Sequence, residues 1–132
     1  MRALSIIPLL AGLAACVPMS DSNETMLTGT VTYRERIALP PDSRVIVTIS
    51  DVSLMDAPSV TIAQNQITTA GQQVPISFAV SYDRARIQPG RTYAVSARIL
   101  DKRGQLAWIT DTRNPLPPPG QSIELWLVQA RR

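Results

Sequence analysis

The chain has 132 residues, 45% of them hydrophobic and 17% charged, and its formal net charge is +3 at pH 7. This length allows one domain with a hydrophobic core, and the scattered arginines argue against a nucleic-acid-binding surface, which needs clustered basic residues. The chain has no histidine, so it lacks the commonest general base and the commonest metal ligand. Its single cysteine excludes an internal disulfide.

The first fifteen residues have the features of a secretory signal. Arg2 precedes an apolar run, Ala3 to Ala15, that is too short to span a bilayer and ends in small residues. Leu13-Ala14-Ala15-Cys16 resembles the lipobox of bacterial lipoproteins, in which a signal peptidase cuts before a cysteine that carries lipid. The alternative is an ordinary signal peptide with an unmodified cysteine. We therefore expect residues 1–15 to be a cleaved lipoprotein signal peptide, and lipidated Cys16 to hold the chain at a membrane.

Residues 16–26 are predicted to be the lipidated cysteine and a flexible tether. The segment from Val17 to Met26 is polar and has no hydrophobic period. Ten extended residues reach about 33–36 Å, so the domain can stand away from the lipid surface. Residues 27–132 are predicted to form one β domain.

Hydrophobic and polar residues alternate along most of that domain, which is typical of half-buried strands. In the first stretch Leu27 and Val31 share a phase that resumes at Ile37 and Leu39, so one long strand with a bulge near Arg34–Arg36 is expected. The third stretch changes phase along its length. Seven strands are predicted, at residues 27–39, 44–50, 60–67, 74–82, 93–99, 106–110 and 123–129.

Turn signals separate these strands. Pro75 cannot donate a ladder hydrogen bond, which places the fourth strand at an edge or its start at a bulge. Residues 83–86 are predicted to form one helical turn. The spacing from Ile87 through Pro89-Gly90 to Tyr93 resembles the tyrosine corner of Greek-key sandwiches. The proline-rich segment from Asn114 to Gly120 is expected to be a stiff connector.

These patterns predict an all-β fold, a seven-stranded antiparallel β-sandwich with Greek-key-like connections. A closed barrel is the alternative, because sequence periodicity does not distinguish closure from two packed sheets.

Five apolar residues lie out of phase with the core positions of their own strands. Either loops such as 54–58 or 116–119 cover them, or they form a contiguous apolar surface that binds a partner segment. The candidate partner surface consists of Ile46, Leu100, Ile109, Trp126 and Val128.

Few groups are available for catalysis, and we expect no enzyme activity, no cofactor and no metal site. Lys102 lies in a predicted polar turn, where it is poorly placed to be desolvated into a base. Asp51, Asp56 and Asp111 could approach one another as acid and base or as cation ligands, but scattered loop aspartates are usually turn formers.

Three elements in order carry a family resemblance: Arg36-Ile37-Ala38-Leu39-Pro40-Pro41, then Asp51-Val52-Ser53, then Pro75-Ile76-Ser77-Phe78. Together they resemble the YbaY/YscW family of bacterial lipoproteins over most of residues 29–116. The resemblance implies a small periplasmic β-sandwich anchored at the outer membrane, and Val17 after the cysteine agrees with the usual sorting rule for such lipoproteins. The best-understood branch comprises pilotins of type III secretion, chaperones that bind a C-terminal segment of the secretin and escort it to the outer membrane. The resemblance carries over no catalytic or ligand residue.

Two functions remain open. The first is a lipid-anchored binding or chaperone module whose second face, or an exposed sheet edge, takes a segment of an envelope protein such as a secretin. The second is an envelope lipoprotein that binds cell-wall or polysaccharide fragments, with Trp108, Tyr82 or Tyr33 stacking on sugar rings. Most of the aromatic residues lie in core phase, which favours packing over stacking on a ligand.

Overall fold

The computed structural model describes residues 23–54 and 56–130, together with the single positions 3 and 12. Within these residues the chain forms eight strands and one short 3₁₀ turn, and it has no helix long and apolar enough to cross a membrane. The all-β prediction is confirmed. The elements are β1 (Glu24–Tyr33), β2 (Arg44–Asp51), β3 (Val60–Thr68), β4 (Ile76–Asp83), the 3₁₀ turn (Arg84–Arg86), β5 (Tyr93–Leu100), β6 (Leu106–Thr110), β7 (Asn114–Pro115) and β8 (Ile123–Gln129).

All strands belong to one mixed sheet with the order β3-β2-β5-β6-β8-β1-β4, and the two-residue β7 pairs with β5 beyond the end of β6. Every pair is antiparallel except β1 and β8, which run parallel. The sheet differs here from the fully antiparallel arrangement that we expected. The segment after β7 crosses one end of the sheet before β8 begins, so β8 runs in the same direction as β1.

The two outermost strands, β3 and β4, approach each other and nearly close the sheet into a barrel. Asn65 on β3 donates from its side-chain amide to the carbonyl of Ala79 on β4 at 2.7 Å. Arg86 donates to the carbonyl of Ile62 at 2.9 Å. Because side chains bridge this gap, the barrel alternative describes the sheet better than two separate layers do.

The barrel interior contains the side chains that the period-two pattern assigned to the core. Tyr33 and Trp108 stack within it, with ring centroids 3.8 Å apart and planes 8° from parallel. Such aromatic pairs contribute about 0.5–1.5 kcal/mol beyond the area that they bury. The buried inward residues of the strands are Leu27, Val31, Tyr33, Val45, Val47, Ile49, Ile76, Phe78, Val80, Tyr82, Tyr93, Val95, Ala97, Ile99, Trp108, Leu125 and Leu127.

The strands deviate from the expected ones at three places, and at two of these the structure shows a local cause. The prediction that the first strand continues to Leu39 is wrong, because β1 ends at Tyr33, whose hydroxyl donates to the carbonyl of Ile37 at 2.5 Å. The strand also begins at Glu24, three residues before the predicted domain start. In β3 the register shifts so that Ile62 has no partner on β2, and this bulge explains the phase change seen in the sequence.

Leu39 nevertheless reaches the core, from the loop that follows β1. It is buried, and its backbone N–H and carbonyl both bond to the side-chain amide of Gln73, at 2.6 and 3.0 Å. This loop covers the end of the barrel where β1 ends and β2 begins. We call it the far end, and the opposite end, where Asn23 leads into β1, the near end.

The near end contains the predicted turn and tyrosine corner. Asp83 accepts from the N–H of Ala85 at 2.9 Å and starts the 3₁₀ turn. Tyr93 accepts from the N–H of Gln88 at 2.8 Å, and its hydroxyl donates to the carbonyl of Arg86 at 3.1 Å. Both predictions are confirmed. Pro75 directly precedes β4, which is an edge strand, as expected.

Candidate functional site

The strand register determines how the five predicted partner-surface residues are arranged. Ile46 on β2 is opposite Arg98 on β5, Arg98 is opposite Ile109 on β6, and Ile109 is opposite Val128 on β8. Trp126 lies two residues from Val128, and Leu100 two residues from Arg98, so both share the outer face of the sheet. Residues from four separate segments therefore come together on one side of the barrel.

Their exposure differs, however. Trp126, Val128 and Ile109 are 44%, 38% and 37% exposed. Leu100 is half-buried, and Ile46 is only 6% exposed, so Ile46 adds little to a contact surface. Ile46 stands between Gln66 on β3 and Arg98 on β5, whose long side chains flank it on the same face. We call Ile109, Trp126 and Val128 the outer apolar patch.

Charged side chains border this patch. The guanidinium of Arg34 lies 5.3 Å from the ring centroid of Trp126, within cation–π range. A pocket of about 310 Å³ lies beside these residues, and Glu35 and Asp111 also line it. An apolar centre with a charged rim suits an amphipathic protein segment better than a purely apolar ligand.

Trp126 is opposite Thr32 near the end of β1, which places the patch towards the far end of the barrel.

Sequence reasoning missed a second concave site, at the near end. A mainly apolar pocket of about 530 Å³ lies between the 3₁₀ turn, the tyrosine corner and the proline-rich segment after β7. Residues 116–119, one of the loops considered as a cover for the outer face, lie elsewhere, because the Leu116 N–H donates to the carbonyl of Tyr93 at 3.1 Å and holds the segment across this end. The helical turn, the tyrosine corner and the proline run each had a sequence signal, but no local pattern indicated that the three meet around a pocket. The residues that line it are Tyr82, Arg84, Ile87, Arg91, Thr92, Tyr93, Pro115, Leu116, Pro117, Pro118 and Pro119.

One arginine at this pocket is already paired. Arg91 donates to the carboxylate of Asp51 at 2.9 Å, while Asp51 also accepts from the hydroxyl and the N–H of Ser53. The hydrogen bonds from Ser53, helped by Arg91, lower the pKa of the Asp51 carboxyl. Within the described part of the chain, the Arg84 guanidinium makes no hydrogen bond or salt bridge.

The aromatic residues proposed as a sugar-stacking platform lie in the core. Trp108, Tyr33 and Tyr82 are all buried, and Trp108 uses its ring face to stack on Tyr33. Tyr82 contributes only a small exposed part to the wall of the near-end pocket. The stacking-platform hypothesis is therefore wrong for these three residues.

Asp51 and Asp111, two of the three aspartates considered for catalysis, have separate surroundings. Asp51 is bound by Ser53 and Arg91, whereas Asp111 accepts from the hydroxyl of its neighbour Thr112 at 3.0 Å. Across residues 23–54 and 56–130, no three carboxylates come together as they would to hold a metal ion. Cys16 and the predicted signal peptide, apart from positions 3 and 12, lie outside the described residues, so lipidation at Cys16 stays a prediction.

Comparisons with known proteins agree with this geometry. Residues 22–126 match the model of a family described as type III secretion system lipoprotein chaperone (YscW). Uncharacterized lipoprotein YbaY of Escherichia coli (strain K12) is 41% identical over 107 residues, which are 80% of this chain and 56% of that protein, so this chain spans little more than half of its relative. The structure of an alternative pilotin from the type II secretion system of Vibrio cholerae superposes with a TM-score of 0.76 at 40% identity, covering 83% of this chain and 99% of that one. The chain belongs to the YscW family of lipoprotein chaperones.

Proposed function

We propose that this protein is a pilotin-like chaperone, anchored at the periplasmic face of the outer membrane through lipid on Cys16, that binds a segment of an envelope protein such as a secretin. The family description and the pilotin structure, both reported above, support a chaperone and not an enzyme. The predicted signal and the cysteine that follows it support the anchor.

The observation that carries the proposal is the outer apolar patch. A tryptophan, an isoleucine and a valine remain at least 37% exposed side by side on a barrel whose other large apolar residues mostly point inward. Large exposed apolar patches with polar rims usually mark interaction sites. Tryptophan is also enriched among the residues that contribute most to binding at protein interfaces.

Capture from detergent-solubilised outer membranes of the bacterium that encodes the chain tests the patch. The bait is the mature chain, residues 16–132, with Cys16→Ser to prevent lipidation, and captured proteins are identified by mass spectrometry. We expect a secretin subunit to be captured, and Trp126→Asp to reduce its recovery at least about tenfold because a carboxylate replaces the apolar centre of the contact.

Val60→Asp is the matched control, because Val60 is 57% exposed on β3 outside the patch and should tolerate the same charge. Circular dichroism should show that both variants are folded. Equal recovery of the secretin with Trp126→Asp, or capture that leaves no secretin enriched, contradicts the proposal.

The anchor has its own test. Labelling cells with radioactive palmitate should mark the wild-type protein and leave Cys16→Ser unlabelled, and density-gradient fractionation should place the labelled protein with the outer membrane. An unlabelled wild-type protein would rule out the lipid anchor while leaving the binding patch untouched.

A further inference from the structure

The near-end pocket lies at the part of the barrel closest to the proposed anchor. The backbone carbonyl of Asn23 accepts from the N–H of Arg84 at 2.7 Å, and Arg84 lines the pocket. Asn23 lies seven positions after Cys16, a distance of at most about 25 Å when the chain is extended. Anything held in this pocket by the anchored protein is therefore close to the membrane.

The walls of the pocket are rigid and apolar. Pro115 to Pro119 form one side, and each proline ring restricts its own backbone. The other side is the tyrosine corner, which the two hydrogen bonds of the Tyr93 hydroxyl hold in place. A preformed apolar site binds with a smaller ordering cost than a flexible surface does. A volume of about 530 Å³ accommodates several apolar side chains but not a folded domain.

The charge inside the pocket has one sign. Among the residues that the structure describes, Arg84 and Arg91 are the charged side chains that line the pocket, and Asp51 already neutralises Arg91. Arg84 is left as one exposed guanidinium beside an apolar cavity. A guanidinium in this setting favours a single carboxylate, which it can hold with two parallel hydrogen bonds.

We propose that the near-end pocket binds an apolar protein segment that carries one carboxylate, with its apolar side chains against the proline wall and the carboxylate on Arg84. This proposal rests on the proposed function, because both require that the domain binds protein segments. The near-end pocket would be a second binding site, separate from the outer apolar patch. The two sites lie towards opposite ends of the barrel, so one partner can contact the patch while a segment is held next to the membrane.

The charge balance of the near end favours a protein segment over the lipid surface itself. Among the described residues of this end, the three arginines Arg84, Arg86 and Arg91 are matched in number by the carboxylates of Glu24, Asp51 and Asp83, so the formal charges balance. Attraction to an anionic bilayer scales with the number of uncompensated basic residues, at about 1 kcal/mol each. Arg84, which has no carboxylate partner among the described residues, is a single cation, too few for a membrane-binding surface but sufficient for one carboxylate.

A titration followed by NMR tests this assignment on the mature chain with Cys16→Ser. The probe is a six-residue peptide with blocked ends that contains two leucines, one phenylalanine and one aspartate, and the matched peptide has asparagine in place of the aspartate. We expect the aspartate peptide to shift the amide signals of Thr92, Tyr93 and Leu116 and to bind at least about tenfold more tightly than the asparagine peptide.

Arg84→Gln should abolish that difference between the two peptides, since it removes the charge from an exposed side chain and leaves the apolar wall. Arg103→Gln, in the exposed turn between β5 and β6, is the matched control and should leave the preference unchanged. Trp126→Asp should not alter peptide binding, so failure at the outer patch and failure at this pocket are distinguishable.

Three results would overturn the assignment. The first is an unchanged aspartate preference in Arg84→Gln. The second is shifts confined to residues outside the pocket. The third is displacement of the peptide by phosphatidylglycerol vesicles but not by phosphatidylcholine vesicles, which would identify the occupant as anionic lipid.

Discussion

At the residue scale, Gly29 shows how closely three strands approach one another. It lies in the middle of β1, opposite Phe78 on β4 and Ile123 on β8. A Cβ atom at this position would overlap the carbonyl oxygen of Ile123 and fall 2.9 Å from Cζ of Phe78. The residue is glycine because the backbone of β8 and the ring of Phe78 occupy the space of a side chain.

We predict that Gly29→Ala lowers the free energy of unfolding by about 3 kcal/mol or more, as for overpacking that displaces backbone. The sign is informative, because replacing glycine by alanine inside a strand ordinarily stabilises by about 0.5–1 kcal/mol. Urea unfolding followed by circular dichroism measures the change. Thr30→Ala, one residue further along the same strand, is the control, and a stabilised Gly29→Ala variant would contradict the close approach of β8.

At the scale of elements, the meeting of β3 and β4 determines whether the sheet behaves as a barrel. These strands have no partner on their outer edges in the described sheet, and unpaired strand edges are prone to pair with other chains. Asn65 and Arg86 bridge the gap to backbone carbonyls instead of extending the ladder. The closure is therefore made by side chains and should be sensitive to single substitutions.

We predict that Asn65→Ala destabilises the protein by about 1 kcal/mol and speeds amide hydrogen exchange along β3 and β4 more than elsewhere. Asn65→Asp should act similarly, because it keeps an acceptor for the N–H of Gln66 but loses the donor to Ala79. Gln64→Ala, which loses only an exposed bond to Thr48, is the control. Exchange rates equal to those of the control would show that the contact between β3 and β4 does not depend on Asn65.

At the scale of the whole molecule, the burial of the Tyr33 and Tyr82 phenol groups links stability to alkaline pH. Desolvation raises the pKa of Tyr33, with a further contribution from Glu35, and it also raises the pKa of Tyr82 above the ordinary value of 10.0. The folded protein therefore keeps both phenols neutral over a pH range in which the unfolded chain ionises them.

The contribution of these two phenols to the free energy of unfolding should therefore not change with pH below pH 10. It should be lost as the pH rises through their raised folded-state pKa values. Tyr33→Phe should reduce the steepness of that fall. At neutral pH the same variant should lose about 1 kcal/mol, because the hydrogen bond to Ile37 is gone. Denaturant unfolding between pH 7 and pH 11.5 measures both effects, and an unchanged alkaline slope in Tyr33→Phe would contradict the role of this phenol.

Much of the fold was predictable because the alternation of strands is a local property. On β2 and β5 the residues that face the core are the alternate ones that the sequence indicates: Val45, Val47, Ile49, Tyr93, Val95, Ala97 and Ile99. The tyrosine corner and the polar turn after β5 depend on side chains within a few residues of one another, so their spacing was sufficient. The candidate surface was predicted in part: Trp126, Val128 and Ile109 are exposed together, whereas the burial of Ile46 depends on cross-strand neighbours that periodicity does not identify.

The sequence alone was sufficient to predict the all-β class, the inward phase of each strand, the lipid signal at Cys16 and the family. Each of these depends on residue types at short spacing. Tertiary structure alone decided the parallel pairing of β8 with β1, the side-chain hydrogen bonds that join β3 to the β4 side of the sheet, and the near-end pocket. Each of these joins residues far apart in the chain, and which of them meet depends on the packing of the whole barrel, which no local pattern encodes.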